Sequence, residues 1–254
     1  MNKTLSLLAV ILTVGLAFAG CKSNSKADNG EGGGCGASAC GGSECGGNDG
    51  GESAGANDAA VDATIKMYTD GTMKAAPFVA MHSFVSVGQY WEVTNNFGGM
   101  KSVNKWQVSA KAAGTKSEFI VESDNGQGYI LAYQIDAWAG AGKPNVTKAW
   151  IGKAGEEPKE IKIMEWKKAE GGATAPSGIV LTEEFSDIEM CGESFNGDLT
   201  TVKSDGNTTK TWIAENGWFN KLIKMEMNGD TVMELTGCDF NEKPEVWLKW
   251  EKDE

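Results

Sequence analysis

After Pro77 the apolar residues recur in short runs separated by turn residues, a pattern of strands rather than helices. Tyr129, Leu131, Tyr133 and Ile135 alternate onto one side of one run, Phe119 and Val121 onto one side of another, and Ile223, Met225 and Met227 onto one side of a third. Their neighbours are mixed, Ile130, Ala132 and Gln134 for example, so one face is apolar and the other semi-polar. The pattern predicts strands near 89–95, 103–110, 117–122, 128–135, 146–151, 160–166, 179–184, 199–203, 208–214, 219–227, 231–236 and 245–249. Sharp turn signals divide them: Gly98-Gly99, Asp124-Asn125-Gly126, Asp205-Gly206-Asn207, Glu215-Asn216-Gly217 and Asn228-Gly229-Asp230. Short turns make neighbouring strands antiparallel, and the lack of helical segments between them argues against a parallel α/β sheet. Only Val61, Ile65 and Tyr68, behind the capping residues Asn57 and Asp58, fall at helical spacing. The expected fold is mainly all-β, a large antiparallel meander bent into a curved half-barrel or barrel, with one short N-terminal helix, over residues 59–254.

Upstream of that domain the pattern changes twice. Residues 22–58 are rich in Gly, Ser, Ala, Asn and Asp and hold too little apolar surface to offset the entropy of ordering, so a disordered tether is expected. It would let the domain stand off by a few tens of ångströms, on the order of 5–6 Å × √n. Before it, Leu5 to Phe18 form an apolar run behind Lys3, shorter than the roughly 20 residues of a membrane span, and small residues follow. This reads as an export signal. The segment Phe18-Ala19-Gly20-Cys21 resembles the lipobox of bacterial lipoproteins, with Phe where Leu is more usual. The resemblance implies acylation of the Cys21 thiol, removal of residues 1–20, and a protein held on a membrane of the cell envelope. Lys22 in place of Asp implies the outer membrane. Each buried methylene contributes about 0.8 kcal/mol, so two or three acyl chains make a nearly permanent anchor. The strand layout of the domain resembles the half-barrel of periplasmic lipoprotein carriers and the closed barrel of lipocalins, although no motif of either is present, and such a likeness does not license function.

Charge narrows the partners. The formal net charge is -12, and all 23 basic residues are Lys. Without Arg, whose planar fork grips phosphate and base edges, an acidic chain is a poor nucleic-acid binder and has no broad basic surface for anionic lipid.

Six cysteines fall into three groups. Cys21 belongs to the lipobox. Cys35, Cys40 and Cys45 stand five apart, each followed by Gly, and this tract resembles the cysteine-glycine repeats of small exported copper-buffering proteins. Three soft thiolates on a flexible chain could hold one Cu(I) ion; the alternatives are an incidental tract or oxidised thiols. Cys191 and Cys238 are the two cysteines of the domain, and in an exported protein they are expected to pair, the alternative being two buried free thiols.

Catalytic signals are sparse. His82 is the single histidine and reads as a partly exposed residue at the edge of its segment; no Gly-x-Ser-x-Gly elbow is present. Glu156, Glu157, Glu183, Glu184 and Asp187 could supply paired carboxylates for an envelope hydrolase, but in an acidic chain such pairs are usually solvated. Most of the nine tryptophans fall in expected strands and read as core; Trp138, in the loop 136–145, is the candidate for contact with a partner. Two Asn-x-Thr triplets, at Asn145 and Asn207, read as coincidence in a bacterial export context. The expected function is that of a non-enzymatic, membrane-anchored lipoprotein whose β domain binds a protein partner or an apolar ligand. Copper handling through the tether cysteines and carboxylate-dependent hydrolysis are the alternatives.

The anchor is directly testable. Cys21→Ser should abolish incorporation of labelled fatty acid, since no other thiol follows the apolar run; labelling equal to that of the natural chain would refute the lipobox.

Overall fold

A computed structural model describes residues 58–82, 84–140, 143–166, 178–241 and 243–250 of the chain. The export signal, Cys21, the tether and its Cys35, Cys40 and Cys45 lie outside the described residues.

The alternating segments form one eleven-stranded antiparallel sheet. Its strands are β1 (Gln89–Phe97), β2 (Met100–Lys111), β3 (Glu118–Asp124), β4 (Ile130–Asp136), β5 (Val146–Gly152), β6 (Lys159–Ile161), β7 (Ile179–Met190), β8 (Glu193–Ser204), β9 (Asn207–Ala214), β10 (Leu222–Met227) and β11 (Asp230–Phe240). The order across the sheet is β6-β5-β4-β3-β2-β1-β11-β10-β9-β8-β7. Two meanders therefore share one sheet, and they are joined where β1 pairs with β11. The tight turns work because Gly, Asn and Asp accept left-handed backbone: Asn228 and Gly229 have φ of 54° and 94°, as the turn that best matches strand twist requires.

The sheet is curved and not closed. Trp91, Val93, Asn95 and Phe97 share one face of β1, which pairs with β2 in unbroken register. On that face the main core gathers Trp91, Val108, Val121, Tyr133, Ala149 and Ile151. Trp91 stands opposite Cys238 of β11. Cys238 is bonded to Cys191, in the β7–β8 turn, with Cα atoms 5.8 Å apart. Strands β10, β9 and β8 lie between the two in the sheet, so the bridge can form only if the sheet curls toward the face that carries Trp91. That face is the concave one. Helix α1 (Asp58–Thr69) buries Val61, Ile65 and Tyr68 in this core. The chain that follows runs along it, with Ala75, Val79 and the half-buried Met81, Val85 and Val87 packed inward.

The convex face has its own cover. Residues 245–249 were expected to form a strand but do not; they cross the outside of β2 to β5 as an extended strap. Leu248 packs on Ile130 and Ala132, with Trp150, Trp247 and Trp250 around it. The strap is held by Glu122 of β3, a fully buried carboxylate. Glu122 accepts from the Trp247 N–H (2.9 Å), the Leu248 N–H (3.2 Å), the Trp250 Nε1–H (3.1 Å) and Gln107 Nε2 (2.8 Å). Beyond these, the strap's backbone bonds the β5–β6 turn: the Trp247 carbonyl accepts from the Gly155 N–H and the Lys249 N–H donates to the Glu156 carbonyl.

Two further expectations are corrected. Where a strand over 160–166 is expected, only Lys159–Ile161 form one, and beyond them Ile163 makes a single parallel bridge to Ala75. The turn at Glu215-Asn216-Gly217 is not a tight hairpin. Residues 215–221 form a longer loop, with left-handed backbone at Phe219 and Lys221, that sends Trp218 and Phe219 into the core, so β10 starts at Leu222 rather than near 219. Filling the interior with two aromatic rings outweighs the cost of the strained backbone.

The bridge constrains a loop with a sequence separation of 47. Its reduction should lower unfolding stability by about 2–4 kcal/mol, read as a denaturant midpoint shift against the oxidised protein; coincident curves would show that the bond does not hold the curvature.

Candidate functional site

The apolar interior has two regions of different chemistry. At one end it is packed solid with rings. Trp91 meets Phe195 edge-on at 6.1 Å and Trp218 at 6.5 Å, while Trp106 stacks on Tyr133 at 6.2 Å and meets Phe219 at 6.1 Å. Burial pushes the Tyr133 hydroxyl well above the usual phenol range, with Tyr68 and Tyr129 adding to the effect. The groups here are neutral and aromatic, and they serve packing.

Toward the other end lies a separate apolar cluster: Leu222, Met225, Val232 and Met233, with Val93, Phe97 and Ile213 packed against it. All seven belong to β1, β9, β10 and β11, so this is a patch of a single sheet. A cross-strand row runs through it, from Asn95 to Met233, Met225, Thr211 and Thr200. Asn95 is 3% exposed and Thr200 5%. Asn95 Nδ2 and Thr200 Oγ1 are buried without a hydrogen-bond partner, as is Trp91 Nε1 at the aromatic end. A buried donor without a partner costs about 1–3 kcal/mol, so two of them in one row of an apolar patch call for an explanation.

The expected site residues fare unequally. Cys191 and Cys238 are paired. Trp138 is 72% exposed at the turn between β4 and β5, where the Asp136 carboxylate accepts from its backbone N–H. Glu156 and Glu157 sit at the β5–β6 turn, while Glu183, Glu184 and Asp187 lie on β7, so the two groups belong to opposite edges of the sheet. Glu183 and Glu184 are successive residues of a strand and point to opposite faces. Among the described residues no group of three His, Cys, Asp or Glu side chains is placed to hold a metal ion. Asn145 is buried: its side chain accepts from the Val79 N–H and donates to the Val79 carbonyl, tying the entry segment to β5. The row at Asn95 and Thr200 carried no sequence signal, because polar residues in a half-polar strand are ordinary; only the register across five strands brings them into line.

His82 corrects another expectation. It is buried, not partly exposed. Its Nδ1 accepts from the Phe84 N–H at 3.0 Å, and Nε2 lies 3.2 Å from Gln89 Oε1. This is the neutral ring donating from Nε2. Burial, aided by the charge of Lys221, holds its pKa below the usual 6.5, and the Gln89 contact opposes this only in part.

No protein-family model matches this sequence, and no curated protein is similar to it at a significant level.

The histidine sets a pH dependence. Its folded pKa lies below the unfolded value, so its contribution is complete above about pH 6.5 and is lost as pH falls through the folded value. Urea unfolding at pH 7.5 and pH 5 should show a larger drop for the natural protein than for His82→Gln. Equal drops would place the pH dependence elsewhere.

Proposed function

We propose that this chain is a lipid-anchored lipoprotein of the bacterial cell envelope, held through Cys21 on the outer membrane, whose β domain is a non-enzymatic binding module for an apolar ligand. The observation that carries the ligand reading is the apolar cluster of Leu222, Met225, Val232 and Met233, buried and separate from the aromatic core. Apolar walls with a few placed polar groups are the usual make-up of a ligand site. Two methionines suit an occupant of variable shape, because the thioether side chain is flexible and polarisable. The tether would set the domain at a distance from the membrane, and the lipid anchor would keep it where apolar molecules are concentrated.

A second reading is supported by Trp138. An exposed indole on a loop is an anchor of the kind that protein interfaces use, and the neighbouring turn residue Lys143 is exposed as well. In that reading the loop 136–145 contacts a protein partner of the envelope.

The ligand reading is tested on the mature chain carrying Cys21→Ser, so that no acyl group of its own competes. Titration with the neutral fluorophore N-phenylnaphthylamine should give a saturable rise in emission, displaced by single-chain lipids. Met225→Lys should weaken this binding about tenfold or more, while Trp138→Ala leaves it unchanged. A linear, unsaturable response in the natural sequence would overturn the ligand reading and leave the partner reading in place.

A further inference from the structure

The buried cluster holds more than apolar side chains. Asn95 stands on β1 between Val93 and Phe97, both packed against the cluster, and directly opposite Met233 of β11. Met233 is paired with Met225, and Met225 with Thr211. The Nδ2 of Asn95 is therefore a hydrogen-bond donor set among Val, Phe and Met side chains, buried and without a partner. The next row toward the core is apolar on the same strands, with Val93 opposite Leu235. A leucine at position 95 would match these neighbours. An amide there is costly unless something accepts from it.

We infer that Asn95 is the specificity-determining donor of a site for a single-chain, uncharged amphiphile, with its Nδ2–H directed to an acyl ester or amide carbonyl. This rests on the apolar-ligand reading and names its chemical class. The carbonyl is the group that fits: it accepts without carrying charge, and its acyl chain is apolar. A free carboxylate would also accept, but it would bring a charge into an apolar patch of a chain whose net charge is already -12. Met233, Met225, Leu222 and Val232 would take the chain. The unpartnered hydroxyl of Thr200, beside Thr211, marks the far end of the same row and offers a second polar position there. The two ends are four strand spacings apart, roughly 19 Å along the sheet at about 4.8 Å per strand. That is a length suited to an extended acyl chain and not to a compact metabolite.

The test compares monooleoylglycerol with its ether analogue, which lacks only the carbonyl, as competitors of N-phenylnaphthylamine on the Cys21→Ser chain. The ester should displace the probe at about tenfold lower concentration than the ether, and Asn95→Leu should remove that preference while retaining probe binding. Oleate should compete more weakly than the ester. Should Asn95→Leu fail to fold, the ester-to-ether ratio on the natural sequence decides alone, together with the infrared carbonyl band of isotope-labelled ester, which should shift to lower frequency on binding. Equal potency of ester and ether with saturable probe binding would overturn this inference and spare the ligand reading. Tighter binding of oleate than of the ester would overturn the uncharged class. Failure of the probe to bind would overturn both. If Asn95→Leu only raises stability and leaves the ester preference intact, the amide is a defect of packing and the inference falls.

Discussion

The pairing of β1 with β11 is the contact on which the rest of the molecule depends. Six strands lie on one side of this seam and five on the other, and apart from it each meander pairs only with itself. The register is continuous from Gln89 opposite Phe240 to Asn95 opposite Met233, apart from one bulge where Thr236 is inserted. The bulge is accommodated on the convex face, where the Thr236 hydroxyl reaches Glu92 Oε1 at 3.1 Å and lies 3.2 Å from Thr94 Oγ1. Bulges increase local twist, and here the bend falls at the middle of an eleven-stranded sheet, where it does most to curl the two halves toward each other. At the entry to the seam Gly88 has φ of 100°, and a Cβ there would come within 2.0 Å of the Asn241 carbonyl, so backbone meets backbone with no room for a side chain.

Curvature then sorts the two faces. The concave one must fill a narrowing interior, and at the disulfide end it does so with rings from both meanders: Trp91 and Trp106 from one, Phe195, Trp218 and Phe219 from the other. The convex one is too broad for self-burial, and residues 245–250 cover part of it. Glu122 makes that cover specific. A carboxylate fully enclosed with four donors is costly to desolvate and is stabilised only while all four stay in place. It therefore selects one position of the strap along an otherwise featureless apolar strip, where Leu248, Trp247 and Trp250 could slide.

Much of this could be read in the sequence because its causes are local. Asn228-Gly229 and Asp205-Gly206 announce their turns since few other pairs tolerate two left-handed residues in succession. Val61, Ile65 and Tyr68 mark the helix face by spacing alone. Cys191 and Cys238 could be paired because no other cysteine competes inside the domain. What escaped notice is non-local. Val246 and Leu248 alternate as in any strand, and Glu122 resembles any other strand carboxylate until the tail is laid over it. Glu215-Asn216-Gly217 has the spelling of a tight turn, but the interior needed Trp218 and Phe219 and stretched it into a loop. Asn95 is an ordinary polar residue of its strand until the seam places it opposite Met233.

The order of the strands along the chain has a consequence for biogenesis. When the first six have left the ribosome, β1 is still an outer edge, because its second neighbour is encoded some 140 residues downstream. Contacts of such separation form late. The two halves therefore cannot join until β11 is available: they wait as two fans of hairpins, the first with its seam strand bare, until nearly the whole polypeptide is free. A product truncated anywhere before β11 would keep that strand exposed for good, ready to pair with another chain.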